Sequence, residues 1–401
     1  MTRLATLDEL YRALPAVSAA IGRLAIETDR QARYPQAGMA ILKEAGFLDI
    51  VLPPHLGGLG VGPHGTLQAY FDVIRSLSYA CASTSQVFTS HLAALSTIAL
   101  VGSEAQMARY AEVIRRERAP FCFLGSEPTQ QWSKEGARVR YNSRAAPCEG
   151  GWTVDASKMY ATGSTGARFM IVFCTLDGAQ DMAEGLLMPV IETGNPNVRI
   201  VDNWNSFGQR ATASGTVEIA RCFVPGADMI GGPGDFLRAQ IMGPVFQLGF
   251  ASQFLGIAES ALDFAVTYVN EHARPPAGLS SAAEEPHIQG HIGVMSTQVE
   301  AIRELTNRAV ALLVEAQTDR ARIFDAATAV YRAKVFATKA VTEIATTIFQ
   351  ICGARATDNG FDADRFWRNA RTLTLHDSYD KQCWIIGRAV LGIQPPPIST
   401  R

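Results

Sequence analysis

Asp364-Arg365-Phe366-Trp367-Arg368-Asn369-Ala370-Arg371-Thr372-Leu373-Thr374-Leu375-His376-Asp377 sets an imidazole beside a carboxylate after a basic, aromatic run, in a chain of 401 residues with only seven histidines. Such a pair suits proton transfer near neutral pH. The same residues also describe a surface histidine that helps to close a helix, and residue types alone do not separate the two. Upstream, Phe246, Phe250, Phe254, Ile257, Ala261, Phe264 and Tyr268 recur at spacings of three and four, the apolar stripe of a long helix. Residues 287–318 and 322–352 repeat that pattern with few Gly or Pro. With the C-terminal segment they predict a four-helix bundle over residues 229–401.

Further upstream the pattern changes. Residues 119–228 carry short β-branched and aromatic runs such as Phe169-Met-Ile-Val-Phe-Cys174 and Gly215-Thr-Val-Glu-Ile219, punctuated by Glu149-Gly-Gly151 and Asp177-Gly178. They predict a central antiparallel β domain. Residues 1–118 alternate helical patterns with Pro/Gly breaks and predict an N-terminal helical domain. The fold class is therefore α+β. The Pro395-Pro-Pro397 tail is expected to end the ordered structure.

Composition narrows the function. Hydrophobic residues make up 47% and charged residues 18%, enough for a substantial core. A formal net charge of -2 disfavours a nucleic-acid partner that depends on bulk positive charge. Seven cysteines without a C-x-x-C pair predict reduced thiols, a cytoplasmic location and no metal site. Residues 1–17 lack the basic-then-apolar run of an export signal. Ser76 to Ser103 has no formally charged side chain, but its Ser, Thr and Gln residues and His91 predict a buried helix and no membrane span. Gly60-Val-Gly-Pro-His-Gly65 matches G-x-G-x-x-G, yet no acidic residue stands near Ser85 to hold a ribose and Pro63 spoils the turn, so a loop between helices is expected there.

Several separated motifs resemble the acyl-CoA dehydrogenase superfamily. Phe123-Leu-Gly-Ser-Glu-Pro128 is similar to its aromatic-x-x-(Ser/Thr)-Glu-Pro strand end, which implies flavin contacts from Phe123 and Ser126. Lys158-Met-Tyr-Ala-Thr-Gly-Ser164 resembles its Lys-x-Trp-Ile-Thr-Asn strand, implying that Tyr160 packs on the ring and Thr162 bonds its N5 side. Asn203-Trp-Asn-Ser-Phe-Gly-Gln-Arg-Ala-Thr-Ala-Ser-Gly-Thr216 follows in the family's order and brings Trp204 to the cofactor. The resemblance implies the acyl-CoA dehydrogenase-type fold, with flavin bound at subunit contacts of a homotetramer.

Within the superfamily the Leu-His-Asp ending resembles the flavin-dependent monooxygenases related to dibenzothiophene monooxygenase. Dehydrogenases bear Tyr-Glu there, and the Glu takes the substrate α-proton; Asp377 is one methylene shorter, a misplacement that can forfeit much of the rate. The turn Thr129-Gln-Gln-Trp132 is bulky where dehydrogenases are Gly-rich, and the family's Asp and Arg for coenzyme A fall on Pro244 and Gln247. The adenine-side grip is altered: the family's Arg-x-x-Phe appears as Arg274-Pro-Pro-Ala277 and its Gln-x-x-Gly-Gly as Gln350-Ile-Cys-Gly-Ala354, a loss that would permit a shift from FAD toward FMN, while Arg274, Gln350 and Gly353 remain.

The resemblance thus implies a two-component monooxygenase that takes FMNH2 or FADH2 from a separate reductase. It would react it with dioxygen to a C4a-hydroperoxyflavin and oxygenate an aromatic or heteroatom-bearing small molecule. His376 and His91 are expected over that adduct, Asp377 orienting His376 or substrate, and Ser164 donating toward flavin or substrate. The alternative is an acyl-CoA dehydrogenase-like or nitroalkane-oxidase-like flavoenzyme with Asp377 as base, and a third reading is a scaffold without flavin.

Overall fold

The computed structural model describes residues 3–129, 131–132 and 138–393. The Thr129–Trp132 turn lies partly outside these residues and the Pro395–Pro397 tail wholly so. Six helices come first: α1 (Leu7–Gly22), α2 (Ala25–Gln31), α3 (Gln36–Glu44), α4 (Leu67–Ala80), α5 (Ala82–Val101) and α6 (Glu104–Glu117). The uncharged segment becomes α5, which is buried on nearly all sides. A helix without charged side chains belongs in a core, and two of its hydroxyls find partners there: Ser85 donates to Ile74 O at 3.2 Å and Thr97 to Ala93 O at 2.9 Å. The Gly60–Gly65 segment is a loop whose end is tied by the Thr66 N–H to Gly60 O at 2.8 Å.

The strands are β1 (Phe121–Leu124), β2 (Gln131–Trp132), β3 (Arg138–Arg140), β4 (Arg144–Cys148), β5 (Gly151–Lys158), β6 (Phe169–Val172), β7 (Cys174–Leu176), β8 (Leu186–Leu187), β9 (Val190–Glu192), β10 (Val198–Val201) and β11 (Thr216–Pro225), with a short α7 (Met182–Gly185) before β8. They form a six-stranded sheet ordered β10-β11-β5-β4-β7-β8 and a three-stranded sheet ordered β1-β6-β9, besides the β2-β3 pair. The sheets are mixed and not antiparallel throughout as expected, because β1/β6 and β4/β7 pair in parallel. Parallel neighbours need a long crossover and leave no local turn signature in the sequence.

After α8 (Asp235–Ala239) come three long helices, α9 (Met242–Glu271), α10 (Pro286–Thr318) and α11 (Ile323–Cys352). Two shorter ones, α12 (Asp364–Leu373) and α13 (Tyr379–Val390), pack on α11 and complete the bundle. The segment Arg320–Cys352 is long and apolar enough to cross a membrane by length and composition alone; here α11 packs between α9 and α10. One buried cluster runs from Leu10 and Ile74 of the helical domain through Phe121 and Phe169 of the sheet to Leu248 and Val330 of the bundle. The three zones therefore share a core, and the candidate site lies where they meet.

Candidate active site

A cavity of about 580 Å³ opens between the sheet, α5, the start of α9 and the end of α12. Its sheet side is built by two loops held together from below. The loop after β1 brings Gly125 and Ser126 to the wall, and the turn after β5 brings Tyr160 and Thr162. Under them Lys158 donates to Glu127 Oε1 at 2.8 Å and to Phe173 O at 2.5 Å, with both ionic side chains buried. Burial raises the Glu127 carboxyl, but the Lys158 ammonium and the Ser143 N–H outweigh it and hold the group below its ordinary value. The Met159 N–H closes the junction by donating to Ser126 O at 3.1 Å.

Tyr160 takes φ of 53° and Gly163 of 75°, so the chain reverses sharply between β5 and the next segment. Left-handed backbone at a tyrosine is uncommon and marks a conformation imposed by its surroundings. The Ala161 N–H donates to Gly215 O at 3.0 Å and the Gly163 N–H to Thr212 O at 2.9 Å. The turn leaves Tyr160 56% exposed at the cavity rim, edge-on to Trp204 with centroids 6.1 Å apart.

A run of hydroxyls lines the same wall. Thr162 Oγ1 and Ser214 Oγ are 2.9 Å apart, and Ser214 Oγ lies 2.7 Å from Thr212 Oγ1. The Thr212 hydroxyl and the Trp204 indole N–H both donate to Gln209 O, at 2.9 and 2.8 Å. The Gln209 N–H donates in turn to Asn369 Oδ1 at 2.6 Å, locking this loop to α12. A Cβ at Gly208 would meet Arg368 O at 1.8 Å, so only glycine permits so close an approach.

An aromatic wall runs from the sheet to the bundle. Phe123 meets Phe173 edge-on at 4.8 Å and Phe246 at 6.2 Å. His376 lies against this wall, stacked on Phe250 at 4.0 Å with planes 28° apart and edge-on to Phe246 at 5.4 Å. No Asp, Glu, Lys or Arg lines the cavity among the described residues.

Two family models match the chain. The acyl-CoA dehydrogenase N-terminal domain matches residues 13–117, and the acyl-CoA dehydrogenase C-terminal domain matches residues 248–381. Dibenzothiophene monooxygenase of Mycolicibacterium goodii is 30% identical over 88% of this chain and 87% of its own. A probable FMNH2-dependent monooxygenase, SfnC of Pseudomonas putida, is 30% identical over 94% of this chain and 93% of its own. The crystal structure of FMN-bound TdsC from Paenibacillus sp. A11-2 superposes with a TM-score of 0.88, at 25% identity, covering 97% of this chain and 99% of that one. The chain belongs to the acyl-CoA dehydrogenase superfamily, in its dibenzothiophene monooxygenase-like branch.

In this member of the superfamily the expected residues separate into three groups. Phe123, Ser126, Tyr160, Thr162, Trp204 and His376 all line the one cavity.

His91, Asp377 and Ser164 do not. His91 is fully buried: its Nε2 donates to Leu48 O at 2.8 Å, and its Nδ1 accepts the Phe121 N–H at 3.0 Å. A carbonyl can only accept and an amide N–H only donate, so the ring is neutral with its proton on Nε2. Burial is the main cause that brings its pKa down to about 4, against the Leu48 bond. The expectation that His91 faces the cofactor is corrected: it joins the helical domain to β1. Asp377 Oδ2 accepts from Gln247 Nε2 at 3.1 Å and Gln382 Nε2 at 3.0 Å, which takes the carboxylate off the cavity wall. Ser164 is fully buried behind the Thr162 turn, with its N–H donating to Ala161 O at 3.1 Å.

Arg274, Gln350 and Gly353 form the third group. They are exposed, at the C-terminal ends of α9 and α11, where Arg355 Nη1 donates to His272 O at 3.4 Å. At 1.5 Å per helical residue, Arg274 stands about 40 Å along the bundle from Phe246. None of the three reaches the cavity of its own chain.

The structure adds Ser90, Thr212, Ser214 and Phe246 to the wall. Ser90 Oγ accepts the Phe123 N–H at 3.1 Å. Thr212 and Ser214 belong to the Thr212-Ala-Ser-Gly-Thr216 motif, and two hydroxyls spaced by two residues were the signal that could have marked them.

Proposed function

We propose that this protein is a monooxygenase that binds reduced FMN in the cavity and inserts one oxygen atom of dioxygen into a neutral aromatic or heteroaromatic molecule. The observation that carries this reading is the division of labour at the C-terminal pair. The imidazole faces the cavity, while the carboxylate that a dehydrogenase or nitroalkane oxidase would use as base is held by two carboxamides.

The residues present suit a flavin ring. Tyr160, Trp204 and Phe123 offer flat apolar faces, and the Thr162–Ser214–Thr212 hydroxyls with Ser126 offer hydrogen bonds to a heteroaromatic edge. The uncharged wall suits the ring and an uncharged substrate but not a phosphate. We place the phosphate toward Arg274 and Gln350 of another copy, which calls for an assembly, a homotetramer by family expectation. Bound reduced flavin supplies the two electrons that let one oxygen atom enter the substrate while the other leaves as water. The aromatic wall shields one side of the cavity from bulk water, whose entry would divert oxygen to hydrogen peroxide. His376 is the wall residue suited to give or take a proton near neutral pH. The flavin comes from a separate reductase, and the relatives' names point to sulfur-containing aromatics.

The test supplies the protein with FMN, a flavin reductase, NADH, oxygen and dibenzothiophene or indole. A product heavier by one oxygen atom, labelled from ¹⁸O₂, is expected. Substrate-dependent bleaching of oxidised flavin without reductase, and no oxygenated product, would overturn the reading.

A further inference from the structure

Behind His376 lies a buried polar network with no part in the reaction as described. Lys334, on α11, is 2% exposed and donates its ammonium to Gln247 Oε1 on α9. The Nε2 end of that carboxamide donates to Asp377 Oδ2. Gln382 Nε2, on α13, donates to the same carboxylate oxygen and lies 3.4 Å from Gln247 Oε1. Gln247 and Gln382 are both buried. A buried ammonium persists only with compensating charge or hydrogen bonds. Here one amide stands between cation and anion with its dipole aligned, oxygen toward Lys334 and N–H toward Asp377. Three helices thus converge on a carboxylate that is one peptide bond from the cavity imidazole. Lys334 Nζ also lies 5.1 Å from the centroid of Phe250, the ring on which His376 stacks.

We propose that Lys334 is a positioning residue: bridged by Gln247, it anchors Asp377 toward the bundle interior so that His376, and not the carboxylate, is presented to the cavity. Its meaning for catalysis rests on the monooxygenase reading, whereas the anchoring itself does not.

Among the described residues, Phe246 and Phe250 of α9 face the imidazole, and the charged or titratable groups linked to it are Asp377, next to it in the chain, Lys334 on α11 through Gln247, Tyr331 on α11, whose hydroxyl feels the Asp377 charge, and Arg371 in the last turn of α12. Arg371 Nη1 is occupied by Thr374 Oγ1 at 3.0 Å. Cutting the bridge leaves Asp377 held by Gln382 alone and less firmly turned from the ring, where a carboxylate favours the imidazolium.

The experiment is an NMR titration of ¹³Cε1-histidine-labelled, flavin-free protein, with the His376 signal assigned by its loss in His376→Gln. Lys334→Met should raise the proton affinity of His376 about tenfold. Lys334→Met/Asp377→Asn should return it to the native value, and Lys334→Arg should leave it there. A native titration in Lys334→Met, or no reversal in the double variant, would overturn the proposal. If Lys334→Met does not fold, Gln247→Met keeps both ions and cuts only the bridge; the same upward change is expected, and an unchanged titration refutes the anchoring. In turnover, the pH profile for product formed per flavin oxidised should move with the NMR midpoint, which a loss of stability alone would not cause. Absence of oxygenation by the native protein would sink the monooxygenase reading and leave the NMR answer standing.

Discussion

His376 and Asp377 are neighbours in the chain and part company in space, the ring going to the cavity and the carboxylate to two buried amides. Replacing His376 by Ala should lower oxygenated product about 100-fold, the scale of a lost proton-transfer group. FMN affinity should stay within a few-fold and the missing oxygen should appear as hydrogen peroxide; paired assays of product and peroxide check it. His91 behaves differently. Its folded pKa of about 4 lies below the ordinary 6.5, so the folded state prefers the neutral ring. Its contribution is fully present above pH 6.5 and falls as the pH drops toward 4, by about 3 kcal/mol in all. His91→Gln should therefore be less stable than the native protein at pH 7 yet show a flatter loss between pH 6.5 and 4 in urea unfolding. The sequence picked out both histidines but could orient only one. His376 follows an amphipathic helix whose polar side is legible, whereas α5 is uncharged and buried on nearly every side and no residue pattern says which way His91 points.

Between elements, the buried Lys158–Glu127 pair explains why two motifs more than thirty residues apart act as one surface. It welds the loop after β1 to the turn after β5 and so spaces Ser126 from Thr162. Lys158→Met leaves the carboxylate buried without its partner, a change that costs about 3–5 kcal/mol in comparable pairs. A fall in the urea midpoint should accompany weaker FMN binding, measured by flavin fluorescence quenching. Thr162→Val, which removes one hydroxyl from the wall and leaves the turn intact, should weaken FMN binding up to about tenfold with little change in stability. The helices were legible from their spacing and the β domain from its turn residues. The parallel pairings of β1 with β6 and β4 with β7 were not, because strands joined across a long crossover carry no local sign of each other. Nor could the sequence show that Asn369 and Gly208 clamp the Trp204 loop to α12, a contact between segments about 160 residues apart.

At the scale of the whole molecule, the family motifs divide between the two ends of the bundle. The ring-side residues line the cavity, whereas Arg274 stands about 40 Å along the bundle and Gln350 and Gly353 sit at the exposed C-terminal end of α11. Position along the chain could not reveal this, because residues far apart in sequence share a cavity while helix length carries others from it. If Arg274 serves the cavity of another copy, Arg274→Ala should weaken FMN binding about tenfold or more, as loss of a charge-assisted bond to phosphate does. Mixed assemblies of His376→Ala and Arg274→Ala chains should then contain some cavities with both groups intact and regain part of the activity that each variant lacks alone. The 40 Å span has a thermodynamic corollary. A nucleotide gripped by two chains binds their association product more tightly than either partner alone, so by reciprocity it must also draw the chains together. Dilution should then strip the coenzyme before it unfolds the polypeptide, and adding FMN should restore the larger species on a sedimentation profile.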